Sequence, residues 1–326
     1  MNALSFDVEH WHEAALLQDS VTNPTDRIED SLSRVLRILD DHGVTATFFV
    51  VGELAAEYPD LVARIRDGGH ELGSHGHVHD SVSTFTPRTF RENLARSADA
   101  IEDASGVRPS GFRAPNFSIS ESVPWALTEL AASDYAYDSS VFPMSTPMYG
   151  VSGGSQHPYE VRPDTPFEAT LPLDLDPGTE QGLIEVPVAV AGRRMRVPVA
   201  GGFYARTLPV SVLAWGIRWL NERGLPATLY FHPWEFNPDV VTSVPRIDKR
   251  FVSFHGIDTL AEKLDRLLET FAFGTVADVL TNQSWPASHE SSRDGDAPGH
   301  VNDSDERAAR DTPHRQPTVR RPYADE

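Results

Sequence analysis

The sequence predicts an α/β fold built on a mainly parallel sheet. Two observations support this prediction. Apolar runs rich in β-branched and aromatic residues alternate with amphipathic helical segments over the first hundred or so residues, and glycines separate them. Strands and helices that alternate at this pace are typical of βαβ units, so the pattern fits either an open doubly wound sheet or a barrel.

The N-terminal half alternates strictly between the two kinds of element. Strands are predicted where β-branched, aromatic and leucine residues cluster, over residues 4–8, 44–51 and 71–74. Helices are predicted where apolar residues recur at helical spacing, over residues 26–42, 53–67 and 87–104. Gly43, the pair Gly68-Gly69 and Gly106 follow these helices as stop signals.

The C-terminal half has a different texture. Residues 140–202 are rich in Pro, Gly and Ser with short β-like runs, which we interpret as a long irregular insertion rather than a separate domain. The regular pattern then returns, with a helix over 209–223, a strand over 227–231 and a helix over 258–271. The hydrophobic pattern is lost after Leu280. Residues 284–326, with nine acidic residues and six arginines, are predicted to be a disordered tail.

The composition excludes several classes of protein. The chain has 326 residues, 48 Asp+Glu against 28 Lys+Arg and a formal net charge of -20. Such acidity argues against nucleic acid or an anionic membrane as the main partner, because both need basic patches. The absence of cysteine excludes disulfides, a thiolate zinc site and a cysteine nucleophile. Because only two basic residues are lysines, Lys249 and Lys263, we hypothesise a surface adapted to high salt.

Targeting signals are not evident in the sequence. Residues 1–9 lack the basic and then apolar order of a secretory signal, and no run of about 18 apolar residues predicts a transmembrane helix. We therefore expect a cytoplasmic protein, in a high-salt cytoplasm if the surface hypothesis holds. The sequence does not indicate protein partners.

A candidate metal site lies in the segment Ser74-His75-Gly76-His77-Val78-His79, directly after a predicted strand. His75 and His79 are four residues apart. On a helical turn that spacing directs both imidazoles to one side, as a metal chelate requires. A solvated polar loop is the alternative interpretation.

A pair of carboxylates, Asp7 and Glu9, ends the first predicted strand. In parallel α/β proteins, sites are built at the C-terminal ends of strands. A lone carboxylate there is more often a helix cap or a loop acceptor. With His75 and His79, one of the two completes a two-histidine, one-carboxylate metal set, and the other is left as a general base.

Two further strand ends hold reactive side chains. Arg113, in Phe112-Arg113-Ala114-Pro115, can orient a neighbouring carboxylate and keep it ionised, or else form an ordinary surface ion pair. His232, at the end of a buried strand, can protonate a leaving group, or else be structural. The order of these four features along the chain favours an enzyme.

Residues 3–280 resemble the polysaccharide deacetylase superfamily, of the carbohydrate esterase family four type. The branch they resemble most is associated with exopolysaccharide loci and has an extra C-terminal conserved region. The matching motifs are the segments 69–79, 112–115, 137–143 and 231–236. The resemblance implies a distorted (β/α) barrel that removes N-linked acetyl groups from amino sugars with a divalent metal. It makes 1–283 a catalytic domain, with the extra region within 140–280, ahead of the 284–326 tail.

The resemblance also implies a metal-ligand set. Glu9, His75 and His79 match the family's ligands for one divalent ion, with zinc expected and Co, Mn, Ni or Fe as alternatives. Many members have two adjacent aspartates in the first motif, whereas this chain has Asp-Val-Glu. His10 and His77 are therefore alternative ligands.

The catalytic residues follow from the same resemblance. Asp7 matches the general base and Arg113 the arginine that tethers it. The backbone N–H of Asn116 falls where the family places an oxyanion donor. His232 matches the general acid, and Asp138, near the fourth motif, is expected to orient it.

The substrate implied is an N-acetylated carbohydrate. Four aromatic residues in or beside the insertion can stack on sugar rings, or else pack under a long loop: Tyr149, Tyr159, Phe203 and Tyr204. Two other functions stay open, namely hydrolysis of another non-peptide C–N bond by the same fold and metal, and glycan binding without catalysis.

Overall fold

The computed structural model shows a curved sheet with helices packed around it. It describes residues 1–14, 17, 21, 24–169, 182–240 and 247–282. The strands are β1 Asn2–Val8, β2 Thr47–Val50, β3 Glu71–Ser74, β4 Gly111–Phe112, β5 Tyr137–Asp138, β6 Tyr159–Glu160, β7 Ile184–Glu185, β8 Val190–Ala191, β9 Val197–Pro198, β10 Thr228–Phe231 and β11 Phe273–Gly274. The α-helices are α1 Ile28–His42, α2 Gly52–Glu57, α3 Pro59–Asp67, α4 Pro87–Ser105, α5 Trp125–Ala131, α6 Gly202–Thr207, α7 Val210–Asn221, α8 Ile247–Phe254, α9 Leu260–Thr270 and α10 Val276–Asn282.

The main sheet has the strand order β10-β1-β2-β3-β4-β5-β7-β6, and β11 also pairs with β1. All of these pairings are parallel except that of β6 with β7. After β7 the chain returns toward β10, where the Ala189 N–H donates to the Thr228 carbonyl at 2.9 Å. The distorted (β/α) barrel implied by the resemblance is confirmed.

The strand register places several strand ends at one rim. Val8, Val50, Ser74 and Phe112 occupy neighbouring positions across β1, β2, β3 and β4. The side chains that follow in sequence therefore emerge together at the carboxyl edge of the sheet, where α/β proteins build their sites.

Beneath this rim lies a buried aromatic core. All seven residues of β1 are buried. The Phe6 ring lies 5.2 Å from that of Phe48 and 6.0 Å from that of Phe231, centroid to centroid. Strands buried on both faces explain why the sequence shows continuous apolar runs rather than alternation.

One predicted helix is divided in two. Residues 53–67 form α2 and α3, which meet at Tyr58 (φ -124°, ψ 58°). Pro59 causes the break, because proline has no N–H to donate and disfavours helical geometry in the residue before it. It begins α3 instead, at a position where its fixed φ suits a helix.

The segment 140–202 is more ordered than expected. It contributes β6 and β7 to the main sheet, while β8 and β9 form a separate antiparallel pair. These strands have two residues each, which is too short for a period-2 pattern to be visible in the sequence. The predicted tail, 284–326, lies outside the described residues. In the part of the chain that is described, no helix has the length and apolar character needed to cross a membrane.

Candidate active site

A cavity of about 310 Å³ opens at the carboxyl rim of the sheet. One wall holds the predicted reactive residues that line it, namely Asp7, Glu9, His75, Asn116 and His232. Asp7 and Glu9 lie at the end of β1, His75 and His232 directly follow β3 and β10, and Asn116 lies in the turn after β4. Long-range strand register thus brings together residues that are more than 200 positions apart.

Glu9, His75 and His79 form one buried cluster. Their ligand atoms lie within 4.8 Å of one another, and Glu9 Oε2 lies 2.5 Å from His79 Nε2. His75 Nδ1 donates to the Arg113 carbonyl at 2.8 Å. Since a carbonyl can only accept, the proton is on Nδ1 and Nε2 is left as the ligand atom. Backbone anchoring of this kind is typical of metal-binding histidines.

The cluster fits a divalent cation. His79 is buried, yet neither of its ring nitrogens has a hydrogen-bond partner among the described residues, and its short approach to Glu9 does not have hydrogen-bond alignment. Buried polar atoms of a native protein are rarely left unpaired unless they have another ligand. Two imidazoles and a carboxylate suit Zn²⁺ and also Co²⁺, Ni²⁺, Fe²⁺ or Mn²⁺.

The histidines do not meet on a helical turn, as the spacing suggested. The segment after β3 is non-helical. Gly76, at a φ of 78°, helps to reverse the chain and brings the His79 ring within 5.3 Å of the His75 ring. The helical premise was wrong, although the two side chains do converge.

Neither alternative ligand reaches the cluster. His77 lines a different cavity, beside Arg96 and Asp103. His10 stacks on His12 at 5.2 Å, and its Nδ1 lies 3.9 Å from Asp26. Glu9 is therefore the carboxylate that lies with the two histidines.

Glu9 also contacts the segment that follows β10. Trp234 Nε1 donates to Glu9 Oε1 at 3.3 Å, and His232 Nε2 lies 3.6 Å from the same oxygen. Burial by itself raises the pKa of Glu9, but the neighbouring His79 and His232 lower it well below its ordinary value. The carboxylate is ionised, as a ligand must be.

Asp7 is held by Arg113. Arg113 Nη1 donates to Asp7 Oδ1 at 2.8 Å and to Ser5 Oγ at 2.8 Å. Nε and Nη2 donate to the carbonyl and hydroxyl of Ser139, and the guanidinium lies 4.2 Å from the Phe49 ring centroid. Both Asp7 and Arg113 are buried, so the interaction is not a surface ion pair. One oxygen of Asp7 is thereby fixed and its charge is compensated.

Asn116 lies in a strained turn beside the cavity. Its φ is 56° and that of Phe117 is 49°, and two successive non-glycine residues in this region are uncommon. Such backbone costs about 1–3 kcal/mol per residue and clusters at functional sites. The Asn116 N–H has no acceptor among the described residues, so it is available to a ligand.

His232 is oriented by Glu235, a residue that the sequence analysis missed. His232 precedes the short 3-10 helix Pro233–Phe236. Glu235 Oε2 accepts from the backbone N–H of His232 at 3.0 Å and from its Nδ1 at 3.1 Å. Arg206 Nε donates to the other oxygen at 2.9 Å. The spacing of a capping box, with Glu three residues after the cap, was the available signal.

The expectation that Asp138 orients His232 was wrong. Asp138 Oδ1 accepts from Ser140 Oγ at 2.5 Å, and Ser140 Oγ in turn accepts from the Ala114 N–H at 2.8 Å. Asp138 is also in register with Glu185 on the neighbouring strand, and burial raises the pKa of both carboxyls. Asp138 therefore supports the backbone that follows Arg113. Its strand, β5, is separated from β10 by strands β1 to β4 in the order of the sheet.

The opposite wall of the cavity is aromatic. Tyr149, Phe203 and Tyr204 line it, as the sequence suggested. Tyr159 does not, because its side chain is fully buried in a separate core cluster and its hydroxyl donates to the Pro166 carbonyl. Tyr149 also packs on Phe142, so this wall is partly core and partly accessible.

Comparison with known proteins identifies the family. The model of the family Polysaccharide deacetylase matches residues 14–134, and that of the Domain of unknown function (DUF3473) matches residues 139–281. The chain therefore contains a polysaccharide deacetylase domain, which the DUF3473 region follows on its C-terminal side.

Curated relatives align over part of their length. The peptidoglycan-N-acetylglucosamine deacetylase of Bacillus cereus is 31% identical over 94 residues, which are 28% of this chain and 34% of that relative. The uncharacterized protein YlxY of Bacillus subtilis is 35% identical over 92 residues, 28% of this chain and 29% of that protein. The aligned segment thus spans about a third of these relatives.

Two solved structures have a similar fold. One is from Mycobacterium smegmatis, is assigned to the polysaccharide deacetylases and has a TM-score of 0.52 and 21% identity. The other is the PuuE allantoinase, with a TM-score of 0.50 and 13% identity. Each comparison covers 86% of this chain and 88% of the other. At these identities the likeness concerns the fold alone.

Proposed function

We propose that this protein is a metal-dependent hydrolase that removes N-acetyl groups from amino sugars of a polysaccharide or glycan precursor. One observation supports this most strongly. A single cavity is lined by Glu9 and His75 of the two-histidine, one-carboxylate cluster, by the arginine-held carboxylate and by the carboxylate-held imidazole. The catalytic unit in this proposal is residues 1–283, which includes both family regions.

Glu9, His75 and His79 would hold the metal, and zinc is the ion we propose. A divalent cation bound there supplies Lewis-acid polarisation of the acetamide carbonyl and lowers the pKa of water. Asp7 accepts the proton of the attacking water. Because Arg113 occupies Asp7 Oδ1, the carboxylate is presented to the cavity in one orientation.

Asn116 and His232 serve the later part of the reaction. The free N–H of Asn116 donates to the oxyanion that develops on the acetyl carbonyl. His232 protonates the departing amine from Nε2, since its Nδ1 is engaged by Glu235. Burial lowers the pKa of His232, but Glu9 and Glu235 outweigh it and raise the pKa to about 9.

An N-acetylated sugar is the substrate class we propose, with an exopolysaccharide precursor as its source. Tyr149, Phe203 and Tyr204 offer aromatic faces to a sugar ring beside the reactive wall. The names of the curated relatives, peptidoglycan-N-acetylglucosamine deacetylases among them, point to the same class.

Acetate release from a panel of N-acetylated oligosaccharides, with and without chelator, tests the proposal. We expect release that chelation abolishes and added divalent metal restores. Asp7→Asn should keep its metal and lose on the order of 10²–10⁴-fold in kcat. Cleavage of a small amide but of no sugar would favour hydrolysis of another C–N bond. Sugar binding with no acetate from any substrate would favour a binding protein.

A further inference from the structure

We infer that Arg206 is a positioning residue for His232, and that the DUF3473 region completes the active site by fixing this pair. The inference rests on the proposed function, because it takes His232 to be the general acid. Residues 139–281 contain both Arg206 and His232 and match a region with no assigned role. Neither Arg206 nor its partner Glu235 was a candidate from the sequence.

The guanidinium of Arg206 is fixed on every side. Its side chain is 3% exposed. Nε donates to Glu235 Oε1 at 2.9 Å, Nη1 to the His255 carbonyl at 2.8 Å and Nη2 to the Val252 carbonyl at 3.1 Å. These carbonyls lie at the end of α8 and just beyond it, so the backbone holds the arginine in place independently of Glu235.

The fixed guanidinium in turn fixes the imidazole. With Oε1 held by Arg206, Glu235 directs Oε2 at the two nitrogens of His232 that face it. Trp234 stacks on the other side, with ring centroids 5.5 Å apart and planes at 20°. His232 Nε2 is left facing the cavity, 3.6 Å from Glu9 Oε1. The orientation of the proton donor is therefore set through a chain of buried contacts.

The packing of α6 is built around the same carboxylate. A Cβ at Gly202, the first residue of α6, would lie 1.7 to 2.0 Å from the carboxylate atoms of Glu235, so this approach requires glycine. Lys263 on α9 donates from Nζ to the carbonyls of Ala205, Arg206 and Leu208, at 2.7 to 2.9 Å. Helices α6, α8 and α9 thus hold Arg206 against Glu235.

A buried ion pair can instead serve stability alone, and a double-mutant cycle separates the two roles. The variants are Arg206→Met, Glu235→Gln and the double variant. Each single variant leaves one buried charge unpaired and should unfold more easily. The double variant removes both charges and should regain most of the lost thermal stability. If kcat recovers together with thermal stability in the double variant, the ion pair serves stability alone. If kcat stays low although stability returns, the pair positions His232.

For a positioning role, the double variant should keep a kcat 10–100-fold below that of the wild type, with KM within about twofold. In the double variant, the neutral amide at position 235 has lost its contact with Arg206 and no longer fixes the imidazole of His232. A kcat that recovers together with stability would overturn the inference. Arg108→Met, which removes an exposed arginine paired with Asp99 and Glu102, is the control and should leave kcat unchanged.

The wild-type rate separates failure of this inference from failure of the proposed function. If wild-type protein releases no acetate, the proposed function fails. Crystal structures of the wild type and the double variant then test the inference without activity. A His232 ring that rotates or takes two orientations in the double variant supports it, and an unmoved ring contradicts it.

Discussion

His79 illustrates how one residue can indicate a ligand. Its imidazole is buried, lies 2.5 Å from a carboxylate oxygen and has no hydrogen-bond partner among the described residues for either nitrogen. An unpaired polar group in the interior costs roughly 1–3 kcal/mol. This cost does not arise if Glu9 and His79 both bind the same cation.

Removing any of the three proposed ligands should therefore remove the metal. We expect Glu9→Ala, His75→Ala and His79→Ala to bind a divalent ion at least about tenfold more weakly than the wild type. Metal content per chain after dialysis, measured by mass spectrometry, checks this. His77→Ala is the matched control, because His77 lies between the two ligands in sequence but lines another cavity. Equal metal loss in the His77 and His79 variants would contradict the assignment.

Glu185 gives a prediction of the pH dependence of stability. Burial, and next the charge of Asp138, raise the pKa of Glu185 well above the ordinary value for a glutamic acid, although the Val141 N–H and Arg113 oppose this. The folded state therefore keeps a proton on Glu185 that the unfolded state releases. The free energy of unfolding of the wild type consequently falls as pH rises through and above the ordinary pKa of glutamic acid. Glu185→Gln removes this titration and keeps an acceptor for the Val141 N–H.

We expect Glu185→Gln to gain stability relative to the wild type as pH is raised from about 5 to about 8. Urea unfolding of both proteins at each pH measures this. Glu160→Gln, on the paired strand but exposed, should show no such gain. If the difference in the free energy of unfolding between the wild type and Glu185→Gln is the same at every pH, the Glu185 carboxyl is not protonated in the folded state.

The sequence could predict those site residues that follow strand ends. Glu9, His75, Arg113 and His232 each come directly after a buried strand, and parallel register brings them to one rim. Arg206 could not be predicted, because it meets its partner Glu235 through the packing of the six-residue helix α6. Such packing leaves no local pattern in the sequence. Asp138 was misassigned because a motif position cannot reveal which neighbour a buried carboxyl contacts.

At the scale of elements, Lys263 anchors α6 to α9. Its ammonium donates to three carbonyls at and beyond the end of α6. A tetrahedral ammonium can converge on three such acceptors, whereas the planar fork of arginine directs its donors apart. This explains why one of the two lysines of an arginine-rich chain stands here.

Lys263→Arg and Lys263→Met should each lower the free energy of unfolding, by about 1–3 kcal/mol. Denaturant unfolding measures the change. Arg266→Met on the same helix is the control, because Arg266 is exposed and pairs with Glu262 in a surface bridge worth about 0.5 kcal/mol. A Lys263→Arg variant as stable as the wild type would show that charge, not donor geometry, matters.

Element prediction succeeded where segments were long and regular. The 71–74 strand and the long helices 26–42 and 87–104 were placed within two residues of β3, α1 and α4. The short β-like runs of 140–202 were expected, but not which residues pair, since the pairing depends on partners far away in sequence. Glu185, a buried carboxyl within one of them, further obscured the apolar pattern.

For the whole molecule, the charge of -20 leads to a prediction about salt. The described salt bridges engage arginines with neighbouring carboxylates, yet acids outnumber bases by far, so self-repulsion opposes compactness. Salt screens that repulsion. We expect the melting temperature to rise as KCl is raised from about 0.1 M to about 2 M, followed by circular dichroism. A fall over this range would contradict the proposed salt adaptation.

The central claim is that the Glu9–His75–His79 cluster holds the one ion on which hydrolysis depends. Its most direct test is a titration of metal-free protein with Zn²⁺, in which acetate release from an N-acetylated oligosaccharide is measured against metal bound per chain. The account predicts no release without metal, a linear rise and a plateau at one equivalent. Release by the metal-free protein, or no release at full occupancy, would contradict it.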